Sequence, residues 1–212
     1  MNKIQVVSKS YKNFCIAEGN QHIASEYAIL KLKELIDHFK LKNVLEVGLG
    51  IGAIAGSLLS VNENLKYTGT EENEFCLAAL KTNLGENYRK LKVFSQLSEV
   101  PNKKFDLIII DGKDPDLVQI KQLVTHRGII TIEGDRKSQL KFLEIIFPKN
   151  RLVHCISLRK NKIYSPYPLK EWQGGLKVLF PEPNQKQFLW WVKEKIKTKL
   201  KYKFPGRYLG EL

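Results

Sequence analysis

The chemistry open to this chain rests on a run of glycines and a handful of acids. Glu46 stands two residues before Gly48 in the stretch Val44-Leu45-Glu46-Val47-Gly48-Leu49-Gly50-Ile51-Gly52-Ala53. Glycines let a backbone turn sharply and approach a ligand, while the helix that follows offers free N–H groups to an anion. Glu71 lies 19 residues past Gly52, where a carboxylate can hold both hydroxyls of a ribose. Glu46 adds a constraint, because a carboxylate there repels a diphosphate and suits a ligand bearing an ammonium group. Adenosine joined to an amino acid has the ribose and the ammonium; a nicotinamide dinucleotide has the ribose and two phosphates. On the glycines alone, a tight strand-to-helix turn with no ligand is the minority alternative.

A second set of acids follows. Asp111 ends the apolar run Phe105-Asp106-Leu107-Ile108-Ile109-Ile110, and Glu133 and Asp135 flank Gly134 just before Arg136. Acids at adjacent strand ends admit three readings. Asp111, Glu133 and Asp135 form an oxygen-rich magnesium site, one of them is a general base for a substrate hydroxyl, or Glu133 and Asp135 are solvated loop acids with one paired to Arg136. His22 is a further base candidate, His126 reads as a surface residue, and His154 reads as packed within a strand.

The elements that must position these residues alternate in type. Strand-like runs cover Asn43–Val47, Leu65–Thr70, Leu91–Ser95, Phe105–Ile110 and Gly128–Ile132. Helical segments cover Ile23–Lys40, Ile51–Val61, Glu74–Leu84, Asp116–Thr125 and Ser138–Phe147. That alternation predicts an α/β fold with a doubly wound, mostly parallel sheet. Leu152–Leu158 and Leu176–Phe180 lack a helix between them, so they are expected as antiparallel neighbours closing a seven-stranded Rossmann-like sheet. Residues 1–183 read as one domain, with 1–40 as an N-terminal cap segment and helix, and 184–212 as a basic amphipathic tail.

Composition narrows the class. The chain has 212 residues, 43 % hydrophobic and 27 % charged, which excludes disorder and fibrous repeats. No run approaches the roughly 18 apolar residues of a membrane span. Met1–Asn13 alternates polar and apolar residues without a signal-peptide core. Cys15, Cys76 and Cys155 are scattered, which fits a reducing cytoplasm and neither a disulfide framework nor a zinc site.

Glu46-x-Gly48-x-Gly50-x-Gly52, Gly69-Thr70-Glu71 and Phe105 to Asp111 together resemble the class I S-adenosylmethionine-dependent methyltransferases, over roughly Ile23 to Pro181. The resemblance implies S-adenosylmethionine as cofactor. Glu46 would meet its methionine end, and Gly48, Leu49, Gly50 and Gly52 would line it. Glu71, with Glu72 beside it, would take the ribose, Gln96 would sit by the adenine, and Asp111 would stand next to the cofactor. Asp111, Glu133 and Asp135 would lie near the transferred methyl. The stretch Phe105 to Gly112 also resembles the metal-dependent catechol and caffeoyl-CoA O-methyltransferases, although their later Asp-Asn pair is replaced here by Glu133-Gly134-Asp135. The Asn/Asp-Pro-Pro-aromatic motif of adenine and glutamine N-methyltransferases is absent, since Asp111 is followed by Gly112-Lys113. The expected acceptor is therefore a hydroxyl on a small molecule or glycan. Competing readings are an RNA methyltransferase, a non-catalytic cofactor-binding protein and an NAD-dependent reductase.

The net charge of +13 is concentrated at the end of the chain, where residues 151–212 carry +10. Leu189, Val192, Ile196, Leu200 and Phe204 recur at helical spacing among lysines, which predicts an amphipathic helix. Its partner could be its own domain, a twin subunit in a homodimer, an anionic membrane surface, or nucleic acid as a less favoured choice. The location expected is cytoplasmic, with a peripheral membrane position if the tail seats on lipid.

Overall fold

Short runs of Val, Ile and Leu, buried on both faces, build the centre of the sheet. A computed structural model gives the structure of residues 2–134, 136–157 and 175–204. Within it β1 (Asn43–Val47), β2 (Lys66–Thr70), β3 (Leu91–Phe94), β4 (Phe105–Ile110) and β5 (Val124–Glu133) run parallel. β7 (Gly175–Phe180) is antiparallel to both β5 and β6 (Arg151–Ile156), which completes a seven-stranded sheet of order β3-β2-β1-β4-β5-β7-β6. The expected α/β architecture and its antiparallel closing strands are therefore present.

The strand order reverses between β1 and β4, the place where open α/β sheets bind ligands. Register brings the strand ends level there: Val47 pairs with Thr70 on one side and Ile110 on the other. The Asp111 N–H donates to the Val47 carbonyl at 2.9 Å, and the Glu71 N–H to the Phe94 carbonyl at 2.9 Å. The first residues beyond β1, β2 and β4 are thus held side by side.

Two apolar cores sandwich the sheet. One is shared by α1 (Lys3–Cys15), α2 (Glu26–Phe39), α3 (Ala53–Leu59), α4 (Glu74–Leu84) and Trp190 of α7 (Gln185–Lys203). The other lies under α5 (Ile120–Leu123) and α6 (Lys137–Ile146).

Four local readings differ from the structure. The opening residues form helix α1, nucleated by a capping box of Asn2 and Gln5 and docked through Val7, Tyr11 and Phe14. The helix expected over Asp116–Thr125 shrinks to a 3-10 turn and the four residues of α5. The strand after it starts earlier, at Val124, because β-branched Val124 and Thr125 extend the pairing across a register shift opposite Phe105–Leu107. His154, expected to be packed, is exposed on β6.

A candidate cofactor cleft and acid pair

A cleft of about 640 Å³ opens at the reversal point, roofed by the segment from Gly19 to Ala24. Glu46 forms part of its floor. Its neighbours across the strands are Gly69 and Ile109, and its side chain is fully buried. The Tyr67 hydroxyl donates to Glu46 Oε2 at 2.5 Å, while Oε1 is buried without a partner. Burial pushes the Glu46 carboxyl well above its usual pKa; the Tyr67 bond opposes this, and the charges of Asp111 and Glu71 add to it. A buried acid with one unsatisfied oxygen facing a cleft is suited to a cationic or hydrogen-bond-donating ligand.

Glu71 is fixed by the loop that it faces. Its Oε2 accepts from the Gly50 N–H at 2.7 Å, and its Oε1 accepts from the N–H groups of Glu72 and Asn73 at 3.0 and 2.9 Å. Gly48 has φ +85°, and a Cβ there would lie 2.5 Å from the Gly112 Cα, so the loops after β1 and β4 touch only because both residues are glycine. Gly48, Leu49, Gly50, Glu72 and Gln96 line the cleft. Gly52 is placed otherwise: it caps α3 with φ +91°, and its missing side chain makes room for Leu80 and Leu84. It packs two helices rather than walling the cleft.

Asp111 and Glu133 meet at the ends of β4 and β5. Their side chains hydrogen-bond to each other, and burial followed by the neighbouring Glu133 charge drives the Asp111 carboxyl well above its ordinary range. Burial likewise raises Glu133, opposed by the Ser25 N–H that donates to its Oε1 at 3.4 Å and by the bond to Asp111. The pair shares a proton more readily than it carries two charges. Arg136 lies against it, donating from Nη2 to the Asp111 carbonyl and to Asp111 Oδ1 at 3.3 Å, and from Nε to the Glu133 carbonyl at 3.1 Å. Asp135 lies outside the described residues.

The magnesium reading is not supported by this donor set. A guanidinium already occupies Asp111, and among the described residues no three His, Cys, Asp or Glu side chains converge as metal ligands would.

Comparison with known proteins finds methyltransferases. Residues 22–123 match the family model described as methyltransferase small domain. The chain is 30 % identical over 129 residues to a ribosomal RNA small subunit methyltransferase C of Buchnera aphidicola, covering 60 % of this chain and 37 % of that protein. The chain thus spans little more than a third of the curated relative it matches. Among solved structures, an O-methyltransferase of Bacillus cereus in complex with S-adenosylhomocysteine aligns with TM-score 0.56 at 13 % identity, covering 84 % of this chain and 90 % of that one. The O-methyltransferase TomG of Streptomyces achromogenes, in complex with S-adenosylmethionine, aligns with TM-score 0.57 at 10 % identity, covering 85 % and 89 %. Over residues 22–123 the chain is thus similar to the methyltransferase small domain, and its fold is that of the solved methyltransferases.

Within this cleft, three features escaped the sequence reading. Tyr67 holds Glu46 across the strand pair. Asp114, from the loop after β4, accepts from the Leu97 N–H at 2.9 Å and so places an acid on the same wall as Gln96. Phe75, at the start of α4, presents a half-exposed ring to the cleft under Gly19. His22 lines the roof.

Proposed function

We propose that the chain binds S-adenosylmethionine in this cleft and transfers its methyl group to a hydroxyl oxygen of a small molecule or glycan. The observation that carries the reading is the fully buried Glu46 with its unpartnered Oε1, paired with Gly69 two residues before Glu71, which itself holds the Gly50 N–H of the glycine turn. When bound, the cofactor supplies an electrophilic methyl on a sulfonium. Glu46 would receive the ammonium of its methionine end, releasing its own proton and gaining the partner it lacks. Glu71, held rigid by three backbone N–H groups, would accept from the ribose hydroxyls through its remaining lone pairs.

The Asp111–Glu133 pair then serves as the proton acceptor. A carboxylate raised toward neutrality by burial is better matched to removing a hydroxyl proton than an ordinary surface acid. Arg136 stabilises whichever oxygen of the pair carries charge and orients Asp111 through two contacts. Alignment of oxygen and methyl in the cleft, which the Gly19–Ala24 segment borders, supplies most of the remaining acceleration.

Ribosomal RNA is the second reading, favoured by the name of the Buchnera relative. Against it stands Asp111-Gly112-Lys113, in place of the Pro-Pro-aromatic turn of enzymes that methylate adenine and glutamine amino groups. Calorimetry with S-adenosylhomocysteine and NADH tests the cofactor. Heat with the nucleoside and none with the dinucleotide is expected; the reverse overturns the reading. Transfer of labelled methyl to hydroxyl acceptors or to stripped ribosomal RNA then decides between the two acceptor classes.

A further inference from the structure

Helix α7 is turned the opposite way from the one its apolar stripe suggests. Its buried residues are Gln187, Trp190 and Glu194. The Gln187 amide donates to the Arg127 carbonyl at 2.7 Å, the Trp191 indole to the Leu152 carbonyl at 2.8 Å, and the Thr198 hydroxyl to the His154 carbonyl at 2.9 Å. These positions recur three or four apart, so they define the docked face, and apart from the tryptophans that face is polar. The aliphatic residues fall on the far side. Leu189 is 61 % exposed, Ile196 54 % and Leu200 37 %, one above another along the helix. Lys193, Lys195, Lys199 and Lys203, all exposed, flank this ridge.

We propose that the outward face of α7 seats in the surface of an anionic lipid bilayer. Leu189, Ile196 and Leu200 would enter the boundary between headgroups and acyl chains while the lysines reach the anionic headgroups. Charge decides the occupant. Glu194, the one acid of α7, is buried on the docked side, so the outward face is purely cationic around its apolar ridge. A second copy related by a two-fold axis would set these lysine rows against each other. RNA accounts for the lysines and for the exposed rings of Phe188, Tyr202 and Phe204 but leaves the ridge of Leu189, Ile196 and Leu200 unexplained, because bases stack on aromatic rings and guanidinium planes rather than on leucine and isoleucine. Among the described residues no helix is long and apolar enough to cross a membrane, so the contact lies in the plane of the interface. This surface is independent of the cleft and of the methyl-transfer reading.

The test is co-sedimentation of the full chain with vesicles of phosphatidylcholine, alone or with about a third phosphatidylglycerol, at near-physiological salt. Binding to the anionic vesicles alone is expected. It should fall at least about tenfold both in Leu189→Ser/Ile196→Ser/Leu200→Ser and in Lys193→Gln/Lys195→Gln/Lys199→Gln/Lys203→Gln. The affinity for S-adenosylhomocysteine should stay unchanged and the melting temperature nearly so, since every substituted residue is exposed and only Lys195, over the Trp191 ring, touches a docked side chain. Should the triple variant melt early, Ile196→Ser alone carries the apolar arm. Three results overturn the proposal: no sedimentation with anionic vesicles; loss in the lysine variant but not in the aliphatic one, which is adsorption without insertion; or a dimer in sedimentation velocity that the aliphatic variant abolishes. Tight binding of a ribosomal RNA fragment without vesicle binding overturns it as well.

Discussion

Two regions of this protein bury charged side chains, and they do so in opposite ways. In the seam between α2 and α7, Lys31 pairs with Glu34 at 2.6 Å and Glu194 at 3.3 Å, and Glu194 also accepts from Lys197 at 2.7 Å. Desolvation there works to raise Glu194, but Lys197 and Lys31 outweigh it and hold the carboxyl below its usual range. Lys31 is pushed upward in spite of burial, chiefly by Tyr27 and Glu34. In the cleft, Glu46 has one neutral partner and an orphaned oxygen, and Asp111 and Glu133 face each other beside a single arginine. All three are raised. Charges matched within the chain hold it together; charges left unmatched at a cleft await a ligand or a proton.

The contrast is broken most forcefully in the seam. Glu194→Gln removes one of the two carboxylates around buried Lys31, leaving only Glu34, and should cost about 2–3 kcal/mol of stability. Urea unfolding of Glu194→Gln and of Lys31→Met/Glu194→Leu reads this, and the double variant should recover most of the loss. If Glu194→Gln is neutral, the seam is no more matched than the cleft. The next effect belongs to the acid pair. Asp111→Asn keeps the acceptor for Arg136 but removes the titrating oxygen, and methyl transfer should fall about 10²-fold or more. The dissociation constant for S-adenosylhomocysteine should move only a few-fold. A collapse of cofactor binding instead would make Asp111 a binding group and not a proton acceptor.

How much of this was legible before the fold was known follows from where each contact lies along the chain. β4 and α4 fall at the residues their patterns indicate, Phe105–Ile110 and Glu74–Leu84, because each is a strong local signal bounded by turn residues. Glu46, Glu71 and Asp111 could be placed at one cleft because parallel strands of similar length end level. Tyr67 could not be attached to Glu46, since that bond depends on interstrand register across 21 residues. Nor could Asp114 be brought to Leu97, which needs the path of two loops. Helix α1 was hidden because its buried face is only Val7, Tyr11 and Phe14, and Phe14 finds its seat at Gly56, where a Cβ would lie 2.6 Å from the ring. The outward turn of α7 was hidden for a related reason. Periodicity gives the angle between two faces but not which face has partners; here Glu194 and Gln187 do.

Glu46→Gln sharpens the comparison at the cleft. The amide has no charge to desolvate, so the ligand-free protein should melt higher at neutral pH, by about 2–4 °C for each kcal/mol of penalty removed. The same change deprives an ammonium ligand of its counter-charge, and the affinity for S-adenosylhomocysteine should drop by about 10–100-fold. Stability and binding would then move in opposite directions, as they should for a group kept for a ligand rather than for the fold. A variant that loses both would show that Glu46 is structural, like Glu194.

The smallest effect is the pH dependence of the same site, and its sign discriminates. The Glu46 carboxyl lies above its ordinary 4.5 in the ligand-free protein because burial disfavours its charge. The folded state therefore binds this proton more tightly than the unfolded chain, so its contribution to stability is complete below pH 4.5 and is lost as pH rises through the raised value. An arriving ammonium favours the ionised acid, which returns the carboxyl toward or below its ordinary range and expels the proton. Binding of S-adenosylhomocysteine should accordingly tighten as pH rises from 4.5 toward the raised pKa, by up to tenfold for each unit, and then level off. Calorimetry in buffers of different ionisation enthalpy counts the protons released, and Glu46→Gln should abolish that count. A ligand that instead met Glu46 through a neutral donor would release no proton, and its affinity would not rise with pH.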